Sequence, residues 1–103
     1  MLIANNKQHG TVWDELEAGL GCGAQFRVLL HLLLNPAESF TKYGLVKASG
    51  LRTPSVTQQL NRLVSLGWVK KRESSPATYQ ARLENETVKL IHELFLGLKG
   101  ART

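Results

Sequence analysis

Between Tyr43 and Leu83 the spacing of apolar residues changes abruptly at one glycine, and few folds accommodate that change in so short a stretch. From Tyr43 to Ser49, Leu45, Val46 and Ala48 mark a two-turn helix over 43–49. Gly50 ends it, because glycine takes positive φ without steric cost. After Leu51, Arg52-Thr53-Pro54 reads as a helix start, with Thr53 at the cap and proline at the first helical position. That helix runs over 53–66, and Gly67 closes it. Beyond Gly67 the pattern becomes that of strands, at about 68–73 and 78–83. Glu73-Ser74-Ser75-Pro76-Ala77 forms the polar turn between them.

The rest of the chain frames this stretch. Residues 1–10 are polar and read as a flexible N-terminus. Thr11 can cap a helix over 11–20, with Asp14 and Glu15 in its first turn and Val12, Trp13, Leu16 and Leu20 as its apolar stripe. Gly19, Gly21 and Gly23 are expected to break it. A second helix, 24–34, is apolar on nearly every side and stops before Asn35-Pro36. Such a helix must be covered all round, which makes it the centre of a small domain. Ser39-Phe40-Thr41 reads as a very short strand, and 85–98 as a last helix with 99–103 a flexible tail. The expectation is one domain, 11–98, mainly α with a small β-hairpin.

Charge is confined to one segment. From Phe40 to Arg82 there are eight cations and one acid, a net of +7, whereas the whole chain carries +5. No acid occurs between Glu38 and Glu73. Such an asymmetry is the electrostatic footprint expected on a polyanion. No apolar run approaches the ~20 residues of a membrane span, so no membrane partner is expected. The single cysteine, Cys22, fits a reducing cytoplasmic setting.

Helix, tight turn, helix and hairpin, in that order, make a winged helix-turn-helix. The short helix braces the longer one at a steep angle, so that the longer helix presents its outer face to a DNA major groove. Val56, Leu60 and Leu63 fall within a narrow arc and pin the longer helix to the core. The opposite arc carries Pro54, Ser55, Gln58, Asn61, Arg62 and Ser65, with Thr57 and Gln59 flanking. Hydroxyls, amides and a guanidinium are the groups that read base edges and grip phosphates. Lys70, Lys71 and Arg72 lead into the hairpin turn and Arg82 lies on the return, placed for backbone or minor-groove contact.

The stretch FTKYGLVKASGLRTPSVTQQLNRLVSLGWVKKRESSPATYQARL resembles the winged-helix core of prokaryotic (bacterial or archaeal) MarR-type and ArsR-type transcriptional regulators. The resemblance spans roughly 24–95. It implies a double-stranded DNA-binding regulator, with Thr53, Ser55, Gln58, Asn61 and Arg62 at the recognition-helix positions, to which the residue pattern itself adds Arg52 and Thr57. Lys42, Lys70, Lys71, Arg72 and Arg82 fall at the wing and its flank. It further implies a homodimer held by the terminal helices, 11–20 and 85–98. ArsR-type metal sites use clustered ligands, and Cys22, His9, His31 and His92 form no such cluster in the sequence, so no metal is expected.

Other residues have plainer readings. Cys22, between two glycines, is a small residue at a helix start rather than a redox switch. His31 is a packed, hydrogen-bonded histidine, and Trp13 and Trp68 are core or subunit-contact aromatics. No phosphate-cradling glycine loop or nucleophile–base set is present, so neither an enzyme nor a cofactor is expected. The leading expectation is a sequence-specific regulator, by default a repressor. The alternatives are a winged-helix protein-interaction module and a non-specific nucleoid-type DNA binder.

Overall fold

The fold is organised around one apolar helix. In the computed structural model, which describes residues 11–21 and 23–102, this helix is α2 (Gly23–Leu34). Its Val28, Leu32 and Leu33 have no solvent exposure. Before it comes α1 (Val12–Leu20), and after it β1 (Phe40–Thr41), α3 (Lys42–Ser49) and α4 (Thr53–Ser65). The chain ends with β2 (Val69–Arg72), β3 (Thr78–Ala81) and α5 (Glu86–Arg102). The expectations for residues 1–10 and for Cys22 fall outside the described residues.

Each neighbour contributes apolar groups to α2. Leu45 comes from α3; Val56, Leu60 and Leu63 from α4; Val69 from β2; Tyr79 and Ala81 from β3; Val88 and Phe95 from α5. The terminal helices close over the far side of α2. Trp13 and Phe26 both stand edge-on to the Phe95 ring, at centroid distances of 5.3 and 5.8 Å. Arg27 on α2 also donates to the Glu17 carboxylate on α1, at 3.1 Å. That hydrogen bond, and then the Glu17 charge, raise the Arg27 pKa. The pair is partly exposed, so it sets the orientation of α1 more than it adds stability.

The helix ends follow from local chemistry. Thr11 Oγ1 accepts from Asp14 N at 3.2 Å and Thr41 Oγ1 from Gly44 N at 3.0 Å, each filling an orphan donor of the first turn. Asn85 Oδ1 accepts from Val88 N in the same way, while Asn85 Nδ2 donates to the Gly67 carbonyl and ties α5 to the α4–β2 turn. Gly50 and Gly67 sit at φ +74° and +79°, and so reverse the chain where a side chain would be strained. Gly50 makes the turn between α3 and α4, and Gly67 the turn from α4 into β2.

Several boundaries differ from the sequence expectation. The cap of α4 is Arg52, in extended conformation and without a side-chain cap bond; Thr53 is the first helical residue and Pro54 the second. A first-turn N–H has no helical partner in any case, so proline is tolerated at either position. Gly21, at φ +66°, ends α1, whereas Gly19 lies inside α1 and Gly23 begins α2. The last helix continues to Arg102, so 99–102, expected as a tail, extend it. The return strand stops at Ala81, which leaves Arg82 just beyond it, although Arg82 N still donates to the Trp68 carbonyl.

The sheet is three-stranded and antiparallel, in the order β1-β3-β2. The short strand at Phe40–Thr41 pairs with β3 (Phe40 with Tyr79, Thr41 with Thr78), so the base of the hairpin is anchored to the domain. Gln80 reinforces this anchor: its Nε2 donates to the Pro36 carbonyl at 3.0 Å. His31 packs edge-on against Phe40 at 4.7 Å.

Candidate nucleic-acid interface

The phase of α4 decides which side chains face out. Val56, Leu60 and Leu63 are buried against α2, which turns Pro54, Gln58, Asn61 and Ser65 to solvent. Gln58 and Asn61, both exposed, lie near the middle of that outer face. Thr53 is exposed at the N-terminal end, and Ser55 and Thr57 are half-buried on its two flanks. Arg62 is exposed but lies on one flank, beside Leu66 and Leu94. Arg52 is exposed at the cap.

Gln59 is the correction on this helix. Expected at the edge of the outer face, it is only 7% exposed and faces the domain, toward Phe26, Leu29 and Ile91. Its Oε1 has no hydrogen-bond partner among the described residues. An unsatisfied buried carbonyl is destabilising, so Gln59→Leu is expected to raise the urea unfolding midpoint by the equivalent of about 1 kcal/mol. A lowered midpoint would show that Gln59 contributes a bond that its surroundings conceal.

The wing divides its cations between two faces, because strand side chains alternate. Val69 and Lys71 share the face of their partners Ala81 and Tyr79, toward the domain; Lys70 and Arg72 share the opposite face with Gln80 and Thr78. Lys70, Lys71 and Arg72 are all exposed, while Lys42 and Arg82 are half-buried. Two of the wing cations have acidic neighbours: Lys71 Nζ lies 3.6 Å from Glu73, and Arg82 Nη1 lies 3.1 Å from Glu84. Both pairs are at least partly open to solvent and screened, so a phosphate can replace either carboxylate at little cost. At the tip, Ser74 Oγ donates to the Pro76 carbonyl and tightens the turn.

An open cleft of about 600 Å³ separates the wing from the helices. Lys71 and Pro76 line it from the wing, Thr41, Lys42 and Tyr43 from the start of α3, and Thr53 from the start of α4. No acid lines this cleft. Of the sequence-marked residues, the structure therefore brings Lys42, Thr53 and Lys71 together. It places Gln58 and Asn61 on the adjoining helix face and Arg82 away from both. Tyr43, which the sequence marks only as the start of a helix, stands at the cleft.

The sequence profile of the MarR family matches residues 23–77, which hold the central helix, the helix-turn-helix and most of the wing. The chain belongs to the MarR family. The fold is also similar to the crystal structure of a MarR family transcriptional regulator from Silicibacter pomeroyi DSS-3. The two superimpose with a TM-score of 0.69 at 16% identity, over 97% of this chain and 71% of the other. No curated protein sequence matches the chain significantly. The profile fits the helix-turn-helix and the wing up to its turn in sequence pattern, and the solved structure matches the fold.

This MarR family protein has a second, apolar groove, between the inner flank of α4 and α5. Leu20 of α1, Leu29 of α2, Leu66 and Leu94 line it, with Arg62 and Gln59 at its edge. Leu20, Leu66, Leu90 and Leu94 are 67, 53, 61 and 55% exposed. Leu90 and Leu94 lie one turn apart and form a continuous stripe on α5. Among the described residues, no helix is long and apolar enough to cross a membrane.

Proposed function

We propose that this MarR family protein is a sequence-specific double-stranded DNA-binding regulator, acting as a homodimer and by default as a repressor. The observation that carries the reading is the cleft without acidic lining where the starts of α3 and α4 meet Lys71 of the wing, at the head of the helix whose exposed face is polar and acid-free. In this reading α4 enters the major groove, Gln58 and Asn61 read base edges, and Arg52 and Arg62 reach the flanking phosphates. Lys42 and Lys71 hold the backbone that passes through the cleft, while Lys70, Arg72 and Arg82 add to the field around it.

The wing gives a direct test. Lys71→Ala is expected to weaken all duplexes alike and to make the slope of log affinity against log salt shallower by about 1.8, the value for one lost phosphate contact in each subunit of the dimer. An unchanged slope would remove Lys71 from the interface. A protein that binds all duplexes equally would instead be a non-specific nucleoid-type binder.

The dimer reading is supported by the exposed leucines of α1 and α5, which are more than a solvated helix end requires. Pairing two copies through the Leu20, Leu90 and Leu94 side leaves the Gln58 and Asn61 face of each α4 free, and a two-fold axis can set the two faces one helical turn apart, about 34–36 Å. Leu94→Asp is expected to shift the protein from dimer to monomer in sedimentation equilibrium without unfolding it. If the wild type is already monomeric at micromolar concentration, the dimer proposal fails. The same apolar groove favours the second reading, a protein-interaction module. Retention of one stoichiometric protein partner by a chain that binds no duplex would select that reading.

A further inference from the structure

We propose that Tyr43 is a DNA-backbone contact: its phenol donates a hydrogen bond to one phosphate of a duplex lying in the cleft between α3 and the wing. This rests on the DNA-binding reading above. Tyr43 is the second residue of α3 and is 70% exposed, a costly placement for an aromatic ring unless something covers it. A tyrosine suits a site that is apolar at one end and wet at the other. Lys47, one turn later, holds its Nζ 5.4 Å from the ring centroid, which steadies the ring and sets a cation beside it. Among the described residues no hydrogen bond engages the Tyr43 hydroxyl, so it is available as a donor.

The surroundings select a phosphate as the acceptor. Tyr43 lines the cleft with Lys42 and Lys71 and the hydroxyls of Thr41 and Thr53; its other liners, Pro76 among them, are uncharged, and none is a carboxylate. The N-terminal ends of α3 and α4 both open onto this cleft, and their backbone dipoles favour an anion there. A base edge is a poorer match. The first helix of a helix-turn-helix crosses the backbone rather than entering the groove, and a single phenol lacks the paired groups of a bidentate base contact.

The test compares wild type with Tyr43→Phe, which keeps the ring and the Lys47 contact and removes only the donor. Binding is measured on a selected duplex, on unrelated duplexes, and on a series in which methylphosphonates replace backbone phosphates one position at a time. Tyr43→Phe is expected to bind every duplex ~10-fold more weakly, with sequence preference retained. The salt slope is expected to stay unchanged, because a neutral donor releases no counterion. One methylphosphonate position, substituted in both half-sites together, should weaken the wild type ~10-fold more than it weakens Tyr43→Phe, the excess reporting the lost hydroxyl contact apart from the lost charge. Equal binding by the two proteins would overturn the inference. So would a weakening that no single methylphosphonate position absorbs, because the hydroxyl would then act through the fold. A wild type that binds no duplex would overturn the DNA-binding reading and this inference together, whereas the other two contrary results leave that reading standing.

Discussion

Leu60→Ala is expected to remove 2–5 kcal/mol of folding stability, the largest effect of any single truncation considered for this domain. Leu60 has no solvent exposure and lies where α4 packs on α2, with Val56 and Leu63 beside it. Truncation loses the transfer free energy of the buried carbons and leaves a cavity that two helices meeting at a fixed angle cannot close. Small domains hold only about 5–15 kcal/mol in reserve, so the change consumes a large share of it. The melting temperature should fall by roughly 4–8 °C for each kcal/mol lost. Ser65→Ala, on the exposed side of the same helix, should stay within about 0.5 kcal/mol of wild type. Denaturant titration of the two variants checks both values. A loss below about 1 kcal/mol for Leu60→Ala would mean that α4 is not pinned where the core contacts place it.

The second large effect concerns recognition. Gln58 stands near the centre of the outer face of α4, exposed and held at a fixed angle by the buried residues behind it. An amide reads adenine through two hydrogen bonds, and a good bidentate contact is worth about 1–3 kcal/mol of discrimination. Gln58→Ala is therefore expected to bind the selected duplex about 5–150-fold more weakly while binding unrelated duplexes as before. The contrast with Lys71→Ala is the informative part. A lost base contact lowers the specificity ratio and leaves the salt slope nearly intact, whereas a lost phosphate contact does the reverse. Parallel titrations on matched and unrelated duplexes at two salt concentrations separate the two outcomes. Equal weakening on every duplex by Gln58→Ala would assign Gln58 to the backbone.

The parts of the fold readable in the sequence were those with a local cause. Gly50 and Gly67 carry positive φ, and each ends its helix where a left-handed residue was needed. Leu45, Val56, Leu60 and Leu63 are buried because their spacing puts them on one face of each helix. The switch to strands after Gly67 followed from the loss of that spacing. What escaped depended on long-range packing. Gln59 is an amide adjacent to the inward arc, and residue type alone directs it outward; only the contacts of α1, α2 and α5 enclose it. The two-residue β1 is too short to show a period, so its role as third strand emerges only when β3 lies beside it. The continuation of α5 through Gly97 and Gly100 to Arg102 runs against helix propensity.

The candidate site divides in the same way. The outer face of α4 and the run of wing cations were visible as composition and phase. The cleft was not, because it joins the starts of two helices to a strand whose register is fixed only by pairing. Lys71 and Lys70, adjacent in sequence and alike in charge, end on opposite faces of the wing for that reason. Tyr43 illustrates the same limit: nothing about a tyrosine near a helix start marks it for DNA until Thr53 and Lys71 are placed beside it.

The most direct measurement is affinity for a duplex selected from a random pool, set against unrelated duplexes over a range of salt. The account predicts that selection enriches one roughly palindromic site. It also predicts an affinity that falls by at least ~10³-fold between about 50 and 200 mM salt, as a contact with several phosphates requires. No enriched site together with a flat salt dependence would contradict it.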